Sequence, residues 1–275
     1  MTHTHHFHQH KIVSYEQGQG PTWVFLHGWP TNAQLWREQV AALKDRYRVI
    51  TLDWLGFGQS DKPVDHIYTF TAQKEMLDVV LKDHLSEGEQ VTLVAHDIGG
   101  PPGILWASEN SGRVRRLILL NTVLYTLKTK LDATSERLFT TPVLKHIIAS
   151  PFGLRQVMQS NTQSRKSAVR QRIKEILEPY HGLPTDYKFR TIMQPMEQGR
   201  EEELKSLSQK FKALPVEKHL VIGHQDPLCY EHIHKLSLEN PEVPAHHLPK
   251  AGHYIPLDHA HELNQILLDI LEIRA

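Results

Sequence analysis

The ten residues from Val91 to Gly100 (VTLVAHDIGG) constrain the fold of this chain more than any other segment. Five β-prone residues, Val91–Ala95, lead directly into His-Asp-Ile-Gly-Gly, and Pro-Pro-Gly follows before an apolar, helix-compatible segment. This order predicts a strand, an abrupt turn and a helix. Small residues around one presented side chain are typical of a nucleophile elbow. The side chain at the apex is Asp97, and the usual serine motif G-x-S-x-G does not occur in the chain.

Short apolar runs alternate with helical patterns along most of the sequence. The predicted strands are Ile12–Tyr15, Thr22–Leu26, Val49–Leu52, Val91–Ala95, Leu117–Leu120 and His219–Ile222. The predicted helices are Asn32–Leu43, Thr71–His84, Ile104–Glu109 and Glu262–Ile273. Near-continuous apolar strands are typical of a parallel sheet whose two faces are both covered by helices. We therefore expect an α/β fold that binds its ligand at the carboxyl ends of the strands.

The alternation stops over residues 123–214. That stretch has no convincing strand, and its helical patterns, such as Val143–Ala149 and Ala168–Leu177, are separated by prolines. Strand patterning resumes at Val216–Ile222. The sequence therefore predicts a core domain of residues 1–122 and 215–275, with residues 123–214 forming a helical cap over the ligand site.

Composition narrows the classes of partner. Lys plus Arg and Asp plus Glu number 31 each, so the net charge gives no reason to expect a nucleic acid or an anionic membrane as partner. The single cysteine, Cys229, cannot form an internal disulfide, which favours a reducing compartment. No apolar stretch approaches the roughly 18 residues of a spanning helix. We expect a cytoplasmic protein with a small apolar substrate, and the oligomeric state stays open.

Histidine is frequent, with 20 residues in all, and five of them lie in the first ten positions. They are His3, His5, His6, His8 and His10. Imidazoles bind transition metals, but no carboxylate or cysteine joins this tract, and chain termini are usually loose. We therefore expect a disordered start rather than a metal site, and we predict no metal and no cofactor.

Polar motifs follow four of the predicted strands, and a fifth lies near the end of the chain. The four are H-G-W-P from His27, D-W-L-G-F-G-Q-S-D-K-P from Asp53, H-D-I-G-G from His96 and G-H-Q-D-P from Gly223, and the fifth is G-H-Y from Gly252. A candidate nucleophile, then an acid, then a histidine is the chain order of the α/β-hydrolases.

On these five motifs, the chain resembles α/β-hydrolases of the haloalkane dehalogenase and epoxide hydrolase branch over nearly its whole length. It is also similar to hydrolases related to the mesoderm-specific transcript protein. The resemblance implies a mostly parallel sheet with helices on both faces and a helical cap. It also implies Asp97 as nucleophile, His253 as base and Asp226 as the acid that orients this base. The backbone N–H groups of Trp29 and Ile98 would form the oxyanion hole.

The chemistry of a carboxylate supports an aspartate at the apex. An aspartate is already ionised at pH 7 and can displace a leaving group at a saturated carbon without a base. The product is an ester on Asp97, and His253 then has to deprotonate only the water that hydrolyses this ester. A rival acid position after the strand Leu117–Leu120 holds Asn121, which carries no charge and so favours Asp226 as the acid.

The leaving group is less well defined by the sequence. In dehalogenases of this branch a Trp directly after the nucleophile holds the halide, whereas this chain has Ile98, which leaves Trp29 as the indole donor. Epoxide opening needs an O–H or N–H donor above the ring oxygen, and we rank the cap residues Tyr187 first and Tyr180 second. The sequence thus predicts hydrolysis of an epoxide to a diol. The alternatives are a haloalkane dehalogenase and a non-catalytic ligand-binding protein on the same fold.

Overall fold

The computed structural model describes residues 1–64, 68–125, 147–148, 150–183 and 200–272. The strands are β1 (Thr2–Phe7), β2 (His10–Gln17), β3 (Thr22–Leu26), β4 (Arg48–Asp53), β5 (Val91–Asp97), β6 (Val114–Thr122), β7 (Glu217–Gly223) and β8 (Ala245–Leu248). The helices are α1 (Arg37–Leu43), α2 (Phe70–His84), α3 (Gly100–Glu109), α4 (Pro151–Ser160), α5 (Ser167–Leu177), α6 (Arg200–Lys205), α7 (Leu207–Ala213), α8 (Tyr230–Glu239), α9 (Ile255–Asp258) and α10 (Ala260–Glu272). Short 3-10 turns lie at Ala33–Trp36, Ser111–Arg113 and Glu178–Tyr180.

The strands form one eight-stranded sheet in the order β1-β2-β4-β3-β5-β6-β7-β8. β2 is antiparallel to both of its neighbours, and the pairs from β4 across to β8 are parallel. Every residue of β3 and β5 is buried, so both faces of the sheet are covered at its centre. On the helical layers, α1 packs on α10 and α2 packs on α3. The predicted α/β fold is confirmed.

Each predicted strand is present. β3 has the predicted bounds and the others extend one to three residues further at one or both ends, whereas β1 and β8 were not predicted. The expectation of a disordered start is wrong, because β1 pairs along its length with β2. Its residues alternate between exposed and buried, with His5 and Phe7 buried against the core. This alternation is a strand signal that the histidine content obscured.

Helix α3 begins at Gly100, four residues before the predicted start. Pro101 and Pro102 occupy its first turn, where backbone N–H groups have no partner within the helix, so the missing donors cost nothing there. Gly103 lies against Leu26, Leu93 and Ala95, and a side chain at this position would lie within 3.2 Å of Leu26. The glycine therefore lets the helix pack closely on the central strands.

Between β6 and β7, the described residues contain α4, α5, α6 and α7 and no strand. Among these helices, α6 contacts α2 and α7 contacts α3, both of which belong to the core. The division into a core and a cap of residues 123–214 stays a prediction. In the described part of the chain, no helix has the length and apolar character needed to cross a membrane.

Glu203 links α6 to the amino end of α2. Its carboxylate accepts hydrogen bonds from the N–H groups of Phe70 at 2.9 Å and Thr71 at 2.8 Å, and from the Thr71 hydroxyl. These N–H groups have no partner inside the helix, and the negative charge also favours this end of the helix dipole. We predict that Glu203→Ala lowers the free energy of unfolding by about 1 kcal/mol, measured by urea denaturation.

Glu203→Gln is the matched control, since it keeps the size and one acceptor oxygen but removes the charge. It should cost less than the alanine substitution. An unchanged urea midpoint for Glu203→Ala would contradict the anchoring role of this carboxylate.

Candidate active site

Asp97 lies at the turn between β5 and α3 with a backbone φ of +52°. This left-handed conformation is uncommon for a residue other than glycine and is held only where the surroundings enforce it. The Thr122 hydroxyl donates a 2.6 Å hydrogen bond to the Asp97 carbonyl. Glycines make room for the turn: a Cβ on Gly28 would lie 2.4 Å from the Asp97 Cβ, and one on Gly99 would lie 2.6 Å from the His27 carbonyl oxygen. The backbone therefore presents the carboxylate as the sequence predicts.

The two carboxylate oxygens of Asp97 have different neighbours. Oδ2 accepts the backbone N–H of Trp29 at 2.7 Å and lies 4.0 Å from Nε2 of His253. Oδ1 lies 3.7 Å from Sγ of Cys229, whose thiol is a weak donor. Burial and the nearby charges of Asp226 and Asp97 raise the pKa of Cys229, so it is a neutral thiol. Among the described residues, one oxygen is thus held by the backbone and the other meets only a weak donor.

His253 and Asp226 form a buried pair beside Asp97. Nδ1–H of His253 donates to Oδ2 of Asp226 at 3.0 Å, while Oδ1 of Asp226 accepts the N–H groups of Leu228 at 2.8 Å and Cys229 at 3.1 Å. Burial alone would raise the pKa of Asp226, but His253 and these donors outweigh it and lower the pKa. Asp226 is therefore ionised and fixed in orientation.

The pKa of His253 moves in the opposite direction. Burial alone would lower it, but the charge and hydrogen bond of Asp226, together with the charges of Asp97 and Asp258, raise it above its ordinary value of 6.5. The imidazole can therefore accept a proton readily in a site from which water is largely excluded.

The backbone that carries His253 is fixed from three directions. Its N–H donates to the carbonyl of Asn161, which follows α4, at 3.0 Å, and its carbonyl accepts Nε2–H of His96 at 2.8 Å. Asn121 donates to the Gly252 carbonyl at 3.2 Å and accepts the N–H of Gly223 at 2.9 Å. The sequence analysis considered Asn121 only as an uncharged residue at a rival position for the catalytic acid, and it missed this positioning role. The residue type could have indicated it, because an asparagine side chain at the end of β6 can both donate to and accept from the backbone of neighbouring loops.

The loops around Trp29 are also held by buried groups. Asp53 accepts the N–H groups of Ala33 and Gln59, both at 2.8 Å, and the Tyr15 hydroxyl at 3.0 Å. The Tyr254 hydroxyl donates to the Trp29 carbonyl at 3.4 Å. These contacts fix the residue whose N–H binds Asp97. His27 and His96 are neutral, since burial lowers the pKa of each to about 3.

Of the two predicted leaving-group donors, the structure describes only Tyr180, and its hydroxyl is engaged away from Asp97. The Tyr180 hydroxyl is buried between the Gly58 N–H at 3.4 Å and the Thr31 carbonyl at 3.5 Å. Tyr187 lies outside the described residues. The indole Nε1–H of Trp29 is buried and has no hydrogen-bond partner among the residues that the structure describes. Ile98 follows Asp97 directly and is buried, and its part in the oxyanion hole stays a prediction.

Comparison with known proteins agrees with this architecture. A family described as "alpha/beta hydrolase fold" matches residues 21–260. A "Cis-3-alkyl-4-alkyloxetan-2-one decarboxylase" of Shewanella oneidensis is 40% identical over 113 residues, covering 41% of this chain and 36% of the relative. A "Haloalkane dehalogenase" of Agrobacterium fabrum is 40% identical over 114 residues, with 42% and 36% covered. A "Soluble epoxide hydrolase" of a Corynebacterium species is 33% identical over 106 residues, with 38% and 36% covered.

A solved structure shows the same fold over the whole chain. The crystal structure of the haloalkane dehalogenase DatA from Agrobacterium tumefaciens superposes with a TM-score of 0.85 at 22% identity, covering 100% of this chain and 97% of that one. The chain belongs to the α/β-hydrolase family. Its sequence relatives confirm the predicted branch, that of the haloalkane dehalogenases and epoxide hydrolases. The chain spans little more than a third of the length of the curated relatives named above.

The charges around His253 generate a pH prediction. A general base must be unprotonated, so hydrolysis of an ester on Asp97 should accelerate as the pH rises through the raised pKa of His253. In Asp226→Asn the largest charge that raises this pKa is gone, and the midpoint should move to lower pH. The rate at the plateau should also fall by roughly 10⁴, since the amide no longer orients the imidazole correctly. Single-turnover hydrolysis measured across pH checks both effects.

Asp258→Asn is the matched control for this series. Asp258 also raises the pKa of His253 but has no hydrogen bond to it, so this variant should shift the midpoint less and keep most of the plateau rate. Equal midpoints in all three proteins would contradict the pairing of Asp226 with His253.

Proposed function

We propose that this chain is a hydrolase that uses Asp97 as a nucleophile on a saturated carbon of a small apolar molecule. The observation that carries the proposal is the buried aspartate carboxylate at the φ-positive turn, with Oδ2 bound to the Trp29 N–H. Oδ1, the oxygen without a backbone donor, attacks the carbon. A carbon–oxygen bond forms to Asp97, the bond to the leaving group breaks with its electron pair, and an ester intermediate remains.

The second step hydrolyses this ester. His253 takes a proton from water through Nε2 while Asp226 stabilises the imidazolium that forms. The oxygen of this water adds to Cγ of Asp97, and the developing oxyanion on Oδ2 is stabilised by the Trp29 N–H, already 2.7 Å away, and by the Ile98 N–H. Collapse of the tetrahedral intermediate breaks the bond between Cγ and Oδ1, and the imidazolium of His253 gives its proton to the departing oxygen. The alcohol is released, and the water oxygen completes the carboxyl group, which ionises again.

We rank an epoxide first as substrate. Attack on an epoxide carbon leaves the ring oxygen as an alkoxide, which must take up a proton, and an O–H group is suited to supply it. Tyr187 is our first candidate for that donor. Tyr180 is less favourable, since its hydroxyl already contacts the backbone of Gly58 and Thr31. The similarity to a relative named soluble epoxide hydrolase supports an epoxide as substrate, and the similarity to one named haloalkane dehalogenase supports the second candidate.

A haloalkane is the second candidate, and the Trp29 indole favours it. A halide departs as an anion and needs N–H donors but no proton, and Nε1–H of Trp29 is buried without a partner in the described structure. Ile98 lacks a side-chain donor, so this indole would act without the Trp that follows the nucleophile in many dehalogenases.

The oxetan-2-one named in another relative shares with epoxides a strained ring containing oxygen.

The decisive experiment traps the ester. A His253→Gln variant should complete the first step and stall before hydrolysis, so intact-protein mass spectrometry after incubation with epoxides and haloalkanes will detect the adduct. A gain equal to a whole epoxide indicates an epoxide hydrolase. A gain equal to a haloalkane minus hydrogen halide indicates a dehalogenase.

Two controls make the trapping experiment decisive. His253→Gln combined with Asp97→Ala must give no adduct, because the attacking oxygen is absent. The wild-type chain should give products without a lasting adduct. No adduct and no turnover with any compound, combined with tight binding of one of them, would favour a non-catalytic ligand-binding protein.

A pair of variants separates the two leaving groups. Trp29→Phe keeps the backbone N–H that binds Asp97 but removes the indole donor, so it should slow adduct formation from haloalkanes by about 10-fold to 100-fold. Tyr187→Phe should slow adduct formation from epoxides by a similar factor. Both rates are measured in the His253→Gln background, where later steps cannot interfere. If neither substitution changes either rate, both donor assignments are wrong.

A further inference from the structure

The histidine tract at the chain start meets a carboxylate and another histidine in the folded protein. β1 directs His3 and His5 toward the end of α2 and toward β2. Nε2 of His3 lies 3.7 Å from Oε2 of Glu16, and Nδ1 of His84 lies 3.0 Å from the same oxygen. One ligand atom from each of these three residues lies within 4.8 Å of the other two. We call this group the edge cluster, after its place at the β1 edge of the sheet.

A chain of hydrogen bonds extends from the edge cluster into the protein. Nε2 of His84 lies 2.8 Å from the Ser14 hydroxyl, which lies 2.8 Å from Nε2 of His5, and Nδ1 of His5 lies 2.6 Å from Asp83. With the His84–Glu16 contact, four contacts join two carboxylates through two imidazoles and one hydroxyl. His5, Ser14 and His84 are buried, so these groups have little access to water.

The hydrogen atoms available in this series of hydrogen bonds are fewer than its four contacts. Each contact needs one hydrogen, but neutral His5 and His84 carry one N–H each and Ser14 carries one O–H, which gives three. With both imidazoles neutral, one of the four contacts therefore lacks a hydrogen. Nε2 of His3 is a further mismatch, since it is buried, faces Glu16 and has no hydrogen-bond partner among the described residues.

A cation bound to Nδ1 of His84 removes the shortage. His84 then donates its Nε2–H to Ser14, Ser14 donates to Nε2 of His5, and His5 donates its Nδ1–H to Asp83. Every contact has its hydrogen and both imidazoles are neutral. A metal-binding histidine whose other nitrogen donates to a further group is the usual arrangement in metal sites, where it fixes the orientation of the ring.

We propose that Nε2 of His3, Nδ1 of His84 and the carboxylate of Glu16 bind one divalent transition-metal ion, with Zn²⁺ as the representative case. Two imidazoles and one carboxylate are a known ligand set for Zn²⁺, whose fourth position is open to water. The sequence analysis predicted no metal because the tract contains no carboxylate. The fold supplies Glu16 from β2 and His84 from α2.

Arg48 is the group that opposes this site. Its guanidinium donates to both oxygens of Glu16, at 2.9 Å and 3.0 Å, and it also contacts Glu89 at 3.3 Å. The arginine keeps the carboxylate oriented, but its positive charge repels a second cation. Binding should therefore be weaker than at a site without this charge, and the ion should tie β1 to β2 and α2 rather than take part in catalysis.

The test is titration of the full-length chain, prepared without an affinity tag, with ZnCl₂ by isothermal titration calorimetry, alongside its thermal unfolding. The wild-type chain should bind one Zn²⁺, and its unfolding temperature should rise with the ion. His3→Ala loses the ring contact with His84 but no hydrogen bond of Nε2, so it should lower the unfolding temperature without metal only slightly. It should weaken Zn²⁺ binding by at least about tenfold, since even outer partners of a metal site contribute 10-fold to 100-fold.

His6→Ala is the matched control. His6 belongs to the same tract but is exposed on the opposite face of β1, so its loss should leave the affinity for Zn²⁺ unchanged. The proposal is overturned if no saturable binding of one ion is measured, or if His3→Ala binds as tightly as the wild type. It is also overturned if His6→Ala weakens binding as much as His3→Ala, since the tract would then bind ions without the edge cluster.

Discussion

The turn at Asp97 is the constraint on which the arrangement of the candidate site depends. A φ of +52° at a residue with a side chain costs of order 1–3 kcal/mol, and the surrounding structure has to enforce it. Close packing does so, because Gly28 and Gly99 leave space for the turn and the Thr122 hydroxyl holds the Asp97 carbonyl. Four parallel strands, β3, β5, β6 and β7, end around this point, so their loops converge on one carboxylate.

The charges of the site are dominated by carboxylates. Two buried carboxylates, Asp97 and Asp226, face one imidazole, and the raised pKa of His253 reflects this excess of negative charge. Formation of an ester removes the charge of Asp97, so the imidazole becomes easier to deprotonate once the intermediate exists. The same chemistry that creates the ester therefore leaves His253 free to act as a base. The buried imidazoles of His27 and His96 are neutral and add no positive charge to the site.

The elements that carry motifs could be predicted from the sequence, and those that depend on distant packing could not. Asp97 and Asp226 follow strand-to-loop signals, and His253 was found through its G-H-Y motif. The structure brings each of the three within 4.0 Å of a neighbouring member. β1 was missed because its inward residues include His3 and His5, whose polar partners on β2 and α2 meet them only after these elements have packed. The hydroxyl of Tyr180 meets Gly58 and Thr31 through contacts that no local pattern encodes.

The two steps of the proposed reaction make unequal demands on the chain. Ester hydrolysis needs a base, its orienting acid and an oxyanion donor, and the backbone of the core supplies all the described contacts among them. Departure of the leaving group needs a further donor. Among the described residues, the Trp29 indole N–H is buried without a hydrogen-bond partner, and the thiol of Cys229 lies 3.7 Å from Oδ1 of Asp97. Neither of these groups releases a proton easily. The core is therefore suited by itself to a leaving group that departs as an anion, whereas an epoxide requires an acid from another segment, for which Tyr187 is the candidate.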